Sequence, residues 1–182
     1  MRHCAGWMLL FFAVRALALD MVRGEAVGLR FSVPRAWDRV PASADTGAAQ
    51  WKLRRAPGDP EDGEVVLSFF GRGQGGSARE MLDRWAGEFS QPGGRPSHDA
   101  ATVTSRTVNG LRVTAVDLAG TYRAAPIPSG PLPPPKRGFR MLGAIVEGDD
   151  GPWFLRALGP ERTIAAAKPG FDATLDSLTP HR

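Results

Sequence analysis

The sequence predicts an α+β protein, a mostly antiparallel β-sheet of about six to seven strands covered by helices. Three observations carry that expectation. Short segments of alternating apolar and polar residues recur along the chain, which is the period of a half-buried strand. Two pairs of these segments are joined by connections short enough to be hairpins, which makes the paired strands antiparallel. One stretch mid-chain and one at the C-terminus carry apolar residues at helical spacing instead.

The first strand is read at Gly28 to Val33, where Leu29, Phe31 and Val33 share one face and Pro34 ends the run. Trp37 follows in a turn. Ala49 to Leu53 gives a second strand, with Trp51 and Leu53 facing one way and Lys52 and Arg54 the other. The turn cluster Pro57 to Gly63 leads into Glu64 to Phe70, which is apolar on both faces and therefore expected at the centre of the sheet, covered on both sides. Ser77 to Phe89 is the clearest helix. Ser77 and Glu80 have the spacing of a capping box, and Met81, Leu82, Trp85 and Phe89 form the stripe to be buried. Gln91 to Ser97 ends it.

Thr102 to Val108 and Leu111 to Leu118 flank Asn109-Gly110, a dipeptide suited to a turn in which both central residues have positive φ. Arg123 to Gly138 is a proline-dense loop. Phe139 to Glu147 and Trp153 to Leu158 make a second hairpin across Gly148 to Pro152. After Gly159-Pro160 a helical region begins, expected to break near Pro169-Gly170, and Phe171, Leu175 and Leu178 continue an apolar stripe. No internal repeat occurs.

The expected domain organisation is a leader over residues 1–18 and a single globular domain over 19–182, with the proline-rich loop at 123–138. Arg2 gives the leader a positive start, Met8 to Val14 is a short apolar run, and Ala16-Leu17-Ala18 fits a signal-peptidase site. The expected compartment is the periplasm or the extracellular space of a bacterium. Arg15 interrupts the pattern, so the alternative is a start at Met21 and an intracellular chain. Cys4 precedes the apolar run and cannot be a lipid-modified residue following it. It is also the only cysteine, so no disulfide framework or thiolate metal site is expected.

The net charge is +4, and it falls to +2 when Arg2 and Arg15 leave with the leader. Basic and acidic residues are interspersed, which argues against a nucleic-acid footprint. Beyond the leader no stretch approaches the length of apolar chain that spans a membrane.

Several phrases give the chain a family likeness. They are Arg30 to Trp37 (RFSVPRAW), Arg84 to Phe89 (RWAGEF), Gly120-Thr121-Tyr122, and Phe139 to Pro160 (FRMLGAIVEGDDGPWFLRALGP) before a closing helix with Phe171 and Ser177-Leu178. Together with the order of elements, from about residue 26 onward, they resemble the PsbP-like α/β/α sandwich proteins, including exported bacterial members. The resemblance implies an antiparallel sheet between helical layers. Relatives of that fold include a photosystem II extrinsic subunit and a Ran-binding nuclear import factor, so it also implies a role in binding or assembly. No residue here maps onto either binding surface.

The candidate chemical sites each have a plainer structural reading. Gly71 to Gly76 matches the G-x-G-x-x-G spacing of a phosphate loop between strand and helix, but no second parallel strand follows to carry an acidic partner. A flexible connection is expected there, with a weak anion site at the helix start as the functional alternative. Pro131 to Lys136 (PLPPPK) fits a polyproline ligand, and more simply a stiff connector. Ser97-His98-Asp99 are sequence neighbours, which does not make a triad. Asp59, Glu61, Asp62 and Glu64 begin a cation-loop pattern that Gly63 breaks. Asp149-Asp150 reads as a hairpin tip. Trp51, Lys52, Arg54 and Arg55 mix an aromatic with bases, but alternation alone accounts for them. Trp85 is expected in the core. No catalytic, metal or cofactor-binding residue is assigned, and no cofactor is expected. The expected function is a non-enzymatic envelope protein that binds or helps assemble a partner, with another envelope protein as the expected partner. Convergence of Arg72, Arg84, His98 and Tyr122 on one cleft would point to an enzyme instead.

Overall fold

The computed structural model describes residues 19–42, 48–124 and 131–181. The expected leader lies outside these residues, as does the 125–130 part of the proline-rich loop.

Two sheets form. In the smaller, β1 (Met21–Ala26) pairs with β2 (Leu29–Pro34), which pairs with β11 (Thr179–Pro180). The larger has eight strands. Its order runs from β3 (Asp38–Val40) through β4 (Ala49–Leu53), β5 (Gly63–Phe69), β10 (Trp153–Pro160), β9 (Lys136–Glu147) and β8 (Leu111–Tyr122) to β6 (Phe89–Ser90). β7 (Thr102–Val108) pairs with β8 beside β6. Every pairing is antiparallel. The larger sheet therefore exceeds the expected six to seven strands. The extra members β3 and β6 are three and two residues long, too short for an alternating pattern to be legible.

Both expected hairpins are present. Asn109 and Gly110 have φ of 48° and 85°, the left-handed pair that a two-residue turn between twisted strands needs. The Asn109 side chain donates to the Leu178 carbonyl, tying this turn to the C-terminus. In the second hairpin Trp153 pairs with Val146.

The strand period puts two sets of side chains on opposite faces of the large sheet. Trp51, Val65, Leu67, Val113, Ala144 and Leu155 face the small sheet and α3 (Glu161–Asp176), meeting Leu29, Phe31, Ile164, Phe171 and Leu175. Val116, Leu118, Met141, Ile145 and Phe154 face α1 (Ala78–Gly87), meeting Met81, Trp85 and then Phe89. The result is a sheet with cover on both faces, and two cores.

α1 begins with the expected capping box. Ser77 Oγ accepts from the Glu80 N–H, and the Glu80 carboxylate accepts from the Ser77 N–H at 2.6 Å. The loop after α1 holds a short 3₁₀ turn (Pro92–Gly94) and α2 (Ser97–Ala100), neither of which was expected.

α3 departs from expectation. It runs unbroken through Pro169-Gly170. Pro169 lies on the exposed side of the helix, so the Ala165 carbonyl that loses its amide partner can meet water. Gly170 lies on the buried side, where a Cβ would come within 2.5 Å of the Pro34 ring. Of the pair that reads as a helix breaker, Pro169 is tolerated on the solvent side and Gly170 lets α3 lie close against β2.

Candidate functional site

The helix α1 covers only part of its face of the sheet. Across the strands one row of that face reads Val116, Gly143, Arg156, Val66, Gln50. Trp85 fills the space over Gly143, where a Cβ would stand 2.5 Å from its ring. Arg156 marks the limit of cover, and Val66 and Gln50 lie beyond it, half-buried. The next row reads Leu118, Met141, Leu158, Glu64, Lys52, so it turns from apolar to charged at the same boundary between β10 and β5. The expectation that β5 is covered on both sides is therefore corrected. It is central in strand order, but its Glu64, Val66 and Ser68 face is only partly sheltered, and Phe70, just past its end, is 51% exposed. A ten-residue helix is too narrow to roof a sheet of this width.

What remains is a groove of about 330 Å³ between α1 and β5. Met81, Trp85 and Phe154 wall it on one side, Val66 and Phe70 floor it, and Arg84, Glu88, Arg156 and Glu64 supply its charges. At its inner end Arg156 forks onto Glu88, the residue that caps the C-terminus of α1. The two side chains are 23% and 19% exposed, so this pair is largely withdrawn from water. The Arg156 guanidinium also lies 5.7 Å from the centre of the Tyr122 ring. Its Nε is buried without a hydrogen-bond partner among the described residues, and the negative face of that ring offsets part of the cost.

Tyr122 belongs to an aromatic stack. Its ring lies 6.0 Å from Phe139 at 12° and 5.5 Å from Phe89. Burial pushes its phenol above the ordinary value of 10.0, with the Arg156 charge pulling the other way. At neutral pH Tyr122 is thus a hydroxyl donor and not a base. On its far side a second hollow, of about 420 Å³, is lined by Tyr122, Phe139, Lys136, Lys52 and Glu64. Glu64 borders both, so groove and hollow form one strip along the half of the sheet that the described residues leave uncovered.

The residues singled out in the sequence fall as follows. Arg84 and Tyr122 both reach this strip. Arg72 pairs with Asp150 at 3.0 Å, joining the glycine loop to the tip of the second hairpin, and His98 bonds Asp99 at 2.9 Å beside the start of β7. The four do not converge. Ser97 Oγ donates to the Phe89 carbonyl, so Ser97, His98 and Asp99 form no relay. The α1 N-terminus beyond the glycine loop is taken by the carboxylate of Glu80, the position a bound anion would need. Among Asp59, Glu61 and Asp62, each carboxylate is engaged: by Thr163, Lys136 and Lys52 respectively. Among the described residues no group of three or more His, Cys, Asp or Glu is placed to hold a metal ion. Nor is any described helix long and apolar enough to cross a membrane. Trp51 and Trp85 are core residues, as expected.

Glu88 and Arg156 belong to no chemical motif of the sequence. One signal was present: Arg156 is the single charge in the apolar run Trp153 to Pro160, on a face otherwise occupied by Phe154 and Leu158. A buried charge implies a partner.

No family model matches the chain, and no curated protein sequence does. Solved structures do resemble it. Cyanobacterial PsbP (CyanoP) from Synechocystis superposes over 100% of this chain and 99% of its own, with a TM-score of 0.52 and 14% identity. The protein PA94 of Pseudomonas aeruginosa, of unknown function, superposes over 89% of this chain and 98% of its own, with a TM-score of 0.49 and 10% identity. The chain has the PsbP-like fold.

Proposed function

We propose that this protein is exported to the bacterial envelope and acts there by binding a partner protein, without catalysis. One observation carries the reading. Among the described residues, α1 stops at the Arg156–Glu88 pair and leaves the β4–β5 half of its sheet face open, as a strip with an apolar floor and charges of both signs. Polypeptide suits such a surface, because it presents apolar side chains and both donors and acceptors. Nucleic acid does not, since Glu61, Asp62 and Glu64 line the strip and would face its phosphates. Support for export comes from the leader pattern and from Asp20, which precedes Met21 yet is part of the fold: its carbonyl accepts from the Arg35 N–H and its carboxylate pairs with the Arg35 side chain.

The test is a photo-crosslinking residue at position 66, in the full chain expressed in its native cells, with fractionation of the product. A discrete protein adduct in the envelope fraction, reduced by Glu64→Lys, is the expected result. Absence of any adduct at position 66 would refute the site, and recovery in the cytosol would refute export. An intracellular adaptor is the second reading. It is favoured by the position of Met21 at the first residue of β1, so that a chain starting there keeps every described strand.

A further inference from the structure

The edges of a sheet carry unpaired backbone groups, and proteins shield them with shortness, charge, proline or bulges. Most edges here are shielded. β3 has three residues, among them Asp38 and Arg39, and is followed by Pro41. β1 carries Arg23 and Glu25, β6 has two residues, and β11 has two and ends at Pro180. β7 is different. It has seven residues, TVTSRTV, of which all but Val108 are exposed. It contains no proline, lysine or acid. Its one charge, Arg106, is turned to the α3 side, where it pairs with Asp176 at 2.6 Å. Among the described residues only β8 pairs with it.

The turn fixes which of its groups are free. Val108 and Leu111 flank a two-residue turn, so they exchange both hydrogen bonds of a close pair. By alternation Thr102, Thr104 and Arg106 also bond to β8, and the N–H and C=O groups of Val103, Ser105 and Thr107 point outward. Ser105 Oγ lies 3.1 Å from Thr114 Oγ1, as the close side chains of a non-bonded pair allow.

A second observation lies beside this edge. On the α1 side of β7 and β8 is a hollow of about 500 Å³, lined on its apolar part by Leu82, Ala86, Val103, Val116 and Leu118. Val103 is 47% exposed at its rim. A strand added outside β7 would place alternate side chains toward this hollow.

We propose that β7 is an acceptor edge for an extended segment of a partner protein, which adds as a further strand and seats a large apolar side chain in the hollow beside Val103. The inference rests on the binding role proposed above and gives it a second surface. A second copy of the chain fits less well. In a β7–β7 pair Val103, Ser105 and Thr107 would meet one another, and none of them is large enough to fill the hollow. The edge is also only about 24 Å long and one strand wide. Two copies meeting there would bury well under the about 800 Å² per partner of a stable interface.

The test is amide hydrogen exchange on the full chain, using as probe a short synthetic peptide of alternating threonine and leucine between terminal lysines, against a scrambled peptide of the same composition. The alternating peptide is expected to slow exchange at Val103, Ser105 and Thr107 by about tenfold, and the scrambled one to leave it unchanged. Thr107→Pro removes an outward N–H without touching the β8 ladder, and Val103→Glu places a charge at the hollow. Each should abolish the protection while thermal melting shows the fold intact. Failure of the alternating peptide to protect these amides, or equal protection by both peptides, would overturn the proposal. So would protection that appears without peptide and tracks a monomer–dimer equilibrium in sedimentation, which would give the edge to a second copy. A position-66 adduct that forms while the peptide does not bind would leave the broader binding role standing and remove only this one.

Discussion

Asp59 caps a helix that begins more than a hundred residues further along the chain. Its carboxylate accepts from the Thr163 N–H at 2.9 Å and from the Thr163 hydroxyl at 2.6 Å. α3 has Pro160 at its cap position, with no side chain to offer its first-turn amides. The Thr163 hydroxyl in turn accepts from the Ala56 N–H at 3.0 Å, so the acidic turn before β5 is fastened to the start of α3. Asp59→Ala should therefore destabilise the fold by about 1–2 kcal/mol, the usual cost of a lost cap. Thermal melts of Asp59→Ala, Thr163→Val and the double variant would check it. The double variant should cost clearly less than the sum, because both changes remove one contact.

The Arg156–Glu88 pair predicts an asymmetry between single and double changes. Glu88→Gln alone leaves a largely buried guanidinium without its counter-charge, and should cost about 2–3 kcal/mol in denaturant unfolding. Arg156→Met combined with Glu88→Gln removes both charges and should cost less than either single change, since a methionine can lie on the same apolar floor. Costs that simply add would mean the pair is fully solvated.

Gly143→Ala tests how closely α1 sits on the sheet. The new methyl would meet the Trp85 ring at 2.5 Å and a Val116 methyl at 2.8 Å. The expected loss is about 1–3 kcal/mol from overpacking. Tryptophan fluorescence should report a changed environment for Trp85 at the same time.

Acid should loosen α1 first at its start. The Ser77 N–H, and then the Ser77 hydroxyl, hold the Glu80 carboxyl below its ordinary 4.5. A value lowered on folding means the contribution is complete above the unfolded value and is lost as pH falls through the folded one. Wild-type protein should thus lose more thermal stability than Glu80→Gln when pH is lowered from about 6 to about 3. Equal losses would show that the capping carboxylate carries none of the acid response.

Most strands were legible because alternation is a local property, visible wherever four or more residues face one core. β1 is not legible because its inward side, Val22, Gly24 and Ala26, has only small or exposed side chains, with Gly24 lying under the Phe31 ring. Of the strip beside α1, Tyr122 and Arg84 were noted in the sequence, while Glu88 and Val66 were not. Nothing in either residue's neighbourhood tells that a helix ends above one and never reaches the other.

The sequence by itself determined the antiparallel hairpins, the capped helix and the two apolar faces, because turn chemistry, capping and the strand and helix periods are settled among neighbouring residues. Only the tertiary structure decided that Asp59 serves α3, that Pro169 sits inside a helix, that α1 leaves half its sheet face open and that β7 lies at an unshielded edge. Each of those depends on which segments meet across long stretches of chain, and that is set by the packing of whole elements against one another.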